Sequence, residues 1–143
     1  MNKIEYRLMS AIVLLALTFE NYISVGASYS LAAAASANTY YVSVTGDDSN
    51  PGTESAPWRT IQKAVDTVAD ESTVTVMAGN YSEAIDLEKS NIRFIATGTV
   101  IMEGFTVAGD NNEVNGFTIT NPDSNYGIMV SGNNNLIEDN EIY

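Results

Sequence analysis

The sequence predicts an all-β protein: a solenoid of stacked parallel β coils beneath one N-terminal helix, incomplete at its C-terminal end. Three observations carry this. The stretch Phe105–Thr120 (FTVAGDNNEVNGFTIT) recurs 23 residues later as Ile128–Tyr143 (IMVSGNNNLIEDNEIY). From Ser72 onward, short β-type runs alternate with Gly, Asn, Asp or Ser. Ahead of those runs, one segment alone has helical spacing. A period in the low twenties with short strands and Gly/Asn corners marks a solenoid in which each repeat is one coil.

Three regions follow: 1–37, 38–71 and 72–143. Lys3 and Arg7 precede the apolar run Leu8–Phe19, and a small-residue tract ends at Ala35-Ser36-Ala37. That order reads as a secretory signal peptide cut after Ala37, giving a secreted or cell-surface chain. The run is shorter than the roughly 20 residues a bilayer requires, so no stable membrane span is expected after cleavage. An uncleaved anchor is the competing reading, because Tyr22–Ala37 stays fairly apolar.

Thr39–Val44 (TYYVSV) reads as a strand. Gly46–Thr53 (GDDSNPGT) is dense in turn formers, with Asn50-Pro51-Gly52 a turn signal in itself. Pro57 then opens a predicted amphipathic helix over Ala56–Ala69, whose apolar stripe is Trp58, Ile61, Ala64, Val65 and Val68. The β-type runs begin at Thr73–Met77 and continue as Ala84–Leu87, Ile92–Ala96, Thr99–Met102 and Phe105–Val107. Further runs lie at Phe117–Thr120, Ile128–Val130, Leu136–Ile137 and Glu141–Tyr143. Several are shorter than the roughly 5–6 residues typical of strands in an antiparallel sandwich. Ile92, Val114 and Ile137 recur at 22 and 23 residues and are expected to stack as one aliphatic ladder. Asn111, Asn112, Asn134 and Asn135 occupy equivalent corners, where Asn tolerates left-handed backbone and bonds neighbouring amides.

The formal charge is −12, with 18 acids against 6 Lys and Arg. Two acids and two cations fall in the leader, so the imbalance belongs to the remainder. Nucleic acid is excluded as a partner, because phosphates demand clustered Lys and Arg. An acidic polysaccharide would need a bridging cation or a local basic patch. There is no His and no Cys. That removes Ser-His and Cys-His catalysis, histidine metal sites and disulfides from this chain.

Tyr40–Glu83 resembles the opening of secreted right-handed parallel β-helix proteins, in particular the family 9 polysaccharide lyases (pectate lyases). The matching features are Tyr40-Tyr41-Val42 before Gly46–Thr53, then APWRTIQKA over Ala56–Ala64, then Val76–Tyr81 (VMAGNY). Gly116–Ile119 and Gly127–Gly132 are similar to later coils of that fold. The resemblance implies that the helix caps the mouth of the coil stack. It also implies that the full-length protein cleaves pectate-like uronans by β-elimination. In that reaction Ca²⁺ neutralises the uronate carboxylate while a Lys or Arg takes the C5 proton. No residue of this chain matches the family's catalytic lysine or its calcium-binding aspartates. The chain itself is therefore expected to be an inactive N-terminal fragment, self-associating through its open last coil. A non-catalytic glycan-binding or adhesin-type surface protein is the alternative.

Local candidates are few. Glu138, Asp139 and Glu141 form an acidic strip that would hold a metal in a cation-bridged groove, or else a solvated face. Asp47, Asp48 and Asn50 lack EF-hand spacing and read as a turn. Lys63 and Lys89 read as solvated surface residues. Tyr81, Tyr126 and Tyr143 offer sugar-stacking rings, although packing or edge cover is the simpler role. Asn80-Tyr81-Ser82 is formally a glycosylation sequon.

Overall fold

A computed structural model describes residues 38–120 and 126–143, so the leader read at 1–37 lies outside the described residues. Strand β1 (Thr39–Val42) is followed by helix α1 (Ile61–Thr67), β2 (Thr73–Leu87), β3 (Arg93–Val107) and β4 (Glu113–Ile119). The last coil holds β5 (Ile128–Val130), β6 (Leu136–Glu138) and β7 (Glu141–Ile142). Every strand pairs in parallel, β1-β2-β3-β4-β6 in order, with β5 on β3 and β7 on β4. The result is a parallel β-solenoid of about three turns with one short helix before the main strands.

The runs read as separate strands over 73–87 and 93–107 are parts of two 15-residue strands. Register shifts between Met77 and Gly79, and between Tyr81 and Ala84, mark where the β2–β3 ladder turns corners. Ladder bonding resumes after each corner, which is why the short runs merge.

The repeat is borne out residue by residue. Val107 pairs with Val130, Val114 with Ile137 and Ile119 with Ile142. The predicted ladder needs one correction. Val114 does lie over Ile137, but the residue above Val114 is Phe94, with Val74 and then Tyr40 beyond it. Down this column the first step, Tyr40–Val74, spans 34 residues because it carries the loop and helix, the next two, Val74–Phe94–Val114, span 20 each, and the last, Val114–Ile137, spans 23. Ile92 is buried two residues earlier, its N–H held by Asn112 Oδ1 at 2.9 Å. Matching aliphatic to aliphatic hid the aromatic rung. Phe94, Phe105 and Phe117 pack in sequence, with centroids 6.0 and 5.2 Å apart. Burying each such ring stabilises the fold by roughly 1.5–3 kcal/mol.

The helix is shorter than predicted, Ile61–Thr67 rather than Ala56–Ala69. Trp58 forms a parallel bridge to Val42 instead, with Trp58 N–H donating to Tyr41 O and Ser43 N–H to Trp58 O. Pro57-Trp58 therefore extends the first coil, and Thr60 becomes the N-cap, accepting from Lys63 N–H at 3.2 Å. Ile61, Ala64 and Val65 are buried, and α1 packs on β2 and β1. The Gly46–Thr53 turn wraps Trp58: its indole stacks on Tyr40 (5.1 Å, 16°) and donates Nε1–H to Asn50 O at 2.7 Å. Gly52 (φ +79°) lies against the indole, where a Cβ would come within 2.6 Å of the ring.

One corner ties the coils together most firmly. Glu71, Asn91, Asn111 and Asn134 all have positive φ, one in each successive coil. Asn112 is buried; its Nδ2 donates to Lys89 O and its backbone N–H to Asn135 Oδ1. Asn135 repeats the pattern on Gly109 O. At Gly109 a Cβ would stand 1.8 Å from the Lys89 carbonyl oxygen, so no larger residue fits there. The last coil contrasts with those above: Val107 and Ile119 are fully buried, whereas Val130 and Ile142 are 45% and 57% exposed.

Asn112→Ala strands the Ile92 N–H and the Lys89 carbonyl in a buried corner, and is expected to cost at least about 2 kcal/mol. Asn115→Ala, at an exposed bond to Glu138, is expected to stay within about 0.5 kcal/mol. Urea unfolding of both variants checks this; equal losses would show that the corner amide is not structural.

Candidate functional site

Among the described residues, two surface clefts and the predicted acidic strip bear on where chemistry could gather. The polar cleft, about 220 Å³, lies where the first loop meets β2. Arg59 and Thr60 line it from the loop, and Asn80, Tyr81, Ser82 and Glu83 from β2. Strand alternation sends the Tyr81 ring into the core and leaves Asn80 and Ser82 exposed on the outer face. Tyr81 Oη donates to Met77 O at 2.8 Å, and burial pushes its pKa up to about 12. Tyr81 is thus a packing residue.

Glu83 accepts from the N–H groups of Ile61 (3.0 Å) and Gln62 (2.9 Å). It caps α1 from a strand more than twenty residues away, a role that no local capping pattern signals. Asp48 holds the same helix start from the other side, accepting from Arg59 N–H, Thr60 N–H and Thr60 Oγ1–H at 2.8, 3.0 and 2.9 Å. Partial burial raises the Asp48 pKa, but these three bonds, aided by the Lys63 charge, outweigh it and leave the carboxyl below its usual value. Asp47 accepts from Ser49 Oγ–H and N–H, which hold its pKa down. Asn50 Nδ2 donates to Pro57 O. Asp47, Asp48 and Asn50 are therefore occupied in building the turn, as the sequence suggested.

Lys89 departs from its reading as a solvated residue. Its ammonium donates to Val68 O at 2.7 Å and Asp66 O at 3.1 Å, closing the C-terminal end of α1. The favourable alignment with the helix dipole is the physical reason. Lys63 lies on α1 and has no salt bridge among the described residues, where the one such pair is Arg93–Glu113 at 2.6 Å.

The acidic strip does not converge. Glu138 accepts from Asn115 Nδ2 at 3.0 Å, Asp139 sits at a positive-φ corner, and Glu141 accepts from Tyr143 Oη at 3.1 Å. Among the described residues no three carboxylates are grouped so as to hold a metal ion. The second cleft, about 230 Å³, is lined by residues of β2, β3 and β5 together with Tyr126 and Gly127. Ile85, Phe105 and Met129 line it, beside the 66% exposed Tyr126. Tyr143 is exposed on the last coil. Among the described residues no helix is long and apolar enough to cross a membrane.

Comparison with known proteins adds the following. Residues 44–90 match a family described as "Protein of unknown function (DUF1565)". That segment runs from the first loop to the end of β2 and includes every residue lining the polar cleft. No curated protein matches the chain. Among solved structures, a protein titled "Rhamnogalacturonan lyase" is similar at 22% identity and a TM-score of 0.46. The match covers 57% of this chain, which spans only 28% of that protein's length.

Because the folded Asp48 pKa lies below the ordinary 3.8, its ionised form stabilises the fold above that pH. The stabilisation is lost as pH falls through the folded value. Thermal midpoints followed from neutral pH down to about pH 2 should drop on the acid side, and Asp48→Asn should flatten part of that drop. An unchanged acid limb in Asp48→Asn would remove the carboxylate from the account of the turn.

Proposed function

We propose that this chain is the N-terminal part of an exported polysaccharide lyase-like β-solenoid, acting in its full-length form on pectate-like uronans. The observation that carries this reading is local. Tyr40–Glu83, the segment resembling the openings of family 9 lyases, folds as the loop, capping helix and first coil of a parallel solenoid. In this reading the chain's own residues do structural work at the mouth of the stack. Trp58 and Ile61 cover the first rung, while Asp48, Glu83 and Lys89 fix the helix over it.

The calcium ion of uronan elimination does not fit the residues present, because the described carboxylates do not converge. The base is likewise not supplied by Lys89, whose ammonium is committed to helix carbonyls. In this proposal both belong to further coils stacked on the exposed Val130 and Ile142. The alternative is a glycan-binding surface protein without catalysis. It is favoured by the polar cleft, which offers hydrogen-bonding groups but no unengaged general base.

The longer protein, assayed on polygalacturonate with and without chelator, tests the choice. A chelator-sensitive rise in ultraviolet absorbance from the unsaturated product is expected. Absence of that product would leave the binding protein as the surviving account.

A further inference from the structure

The polar cleft has features that the capping role of its neighbours does not use. The Arg59 guanidinium, the Asn80 amide and the Ser82 hydroxyl form no hydrogen bond or salt bridge with any described residue. All three residues are exposed, and all three line one cleft of about 220 Å³. Glu83 completes it: each carboxylate oxygen accepts one helix N–H and keeps a further lone pair. Val44, 38% exposed, adds an apolar wall.

Donors and acceptors are therefore mixed within a few residues, and the Arg59 and Glu83 charges oppose each other. Such a lining suits a ligand whose adjacent groups each donate and accept, with no net charge. A chain at −12 disfavours a carboxylate or phosphate here. The volume lies below the roughly 300–1,000 Å³ of pockets that enclose a drug-sized molecule, so one small ring is the natural occupant. We infer that this cleft binds a single neutral pyranose, its vicinal hydroxyls held by Arg59, Asn80, Ser82 and Glu83 and its C–H face against Val44. This rests on the reading of the fold as carbohydrate-directed, yet it places a neutral sugar, not a uronate, at the mouth of the stack. A free sugar and the end of a longer glycan present the same hydroxyls to this lining.

Calorimetric titration of the full chain with methyl galactopyranoside, a neutral galactan oligomer and galacturonate tests the inference. Saturable binding of the neutral glycoside in the millimolar range is expected, with galacturonate weaker. Tighter binding of the oligomer would identify a glycan end as the source, and equal binding a free sugar. Arg59→Ala and Asn80→Ala should each weaken binding at least about tenfold while thermal midpoints move little, because neither side chain hydrogen-bonds the fold and Arg59 adds only a screened Coulombic contact to the exposed Asp47. Lys63→Ala removes a nearby charge and should leave affinity unaltered. The inference is overturned if the neutral glycoside does not bind, if galacturonate binds as tightly, or if Lys63→Ala weakens binding as much as Arg59→Ala. A longer protein inactive on polygalacturonate, with this binding intact, would sink only the lyase reading. Lyase activity without binding at Arg59 would sink only this one.

Discussion

The structure depends on a hydrogen-bonded corner that repeats from coil to coil. A parallel solenoid gains little from any one strand pair, since each coil meets only its neighbours. What fixes the register is the place where a residue has a single compatible partner above and below. Here that place is the run Lys89–Gly109–Gly132, where each glycine lies directly against the carbonyl of the coil before it. Asn112 and Asn135 lock the same corner, each bonding a backbone carbonyl one coil up. With this corner set, the inward residues fall into column, and Phe94, Val114 and Ile137 follow as a consequence.

The same constraint explains how a chain at −12 uses its few cations. Lys89 sits at the start of the corner and reaches the carbonyls ending α1, so it joins the helix to the coil stack. Arg93 bridges adjacent strands to Glu113. Both are spent on assembly. Arg59 and Lys63 are left near the first loop, and Arg59 lines the polar cleft. Arg59 and Lys63 both fall within the segment that matches the family of unknown function.

Much of the architecture was legible because a solenoid writes its period into the chain. The 105–120 and 128–143 repeat gave the correct pairing of Val107, Val114 and Ile119 with their partners. The Asn corners were legible for the same reason. The ladder through Ile92 was misassigned because a shorter upper coil puts an aromatic, Phe94, above Val114, and periodicity of aliphatics alone cannot detect that. Helix length was overestimated because Trp58 has helical spacing yet pairs with Val42. Tertiary pairing overrode local propensity there. Long-range capping by Glu83 and the commitment of Lys89 left no sequence signal. The polar cleft was equally hidden, since Arg59 and Asn80 become neighbours only once the first loop folds over β2.

The chain contains no cysteine, so paired substitutions can report register directly. Glu113 and Leu136 are Cα partners on β4 and β6, and strands about 4.8 Å apart fall within disulfide reach. The pair Glu113→Cys with Leu136→Cys should oxidise readily to an intramolecular disulfide. Glu113→Cys with Glu138→Cys, displaced by two residues or about 6–7 Å along the strand, should not. Efficient bridging of the displaced pair, or none in the matched pair, would contradict coils stacked in this register.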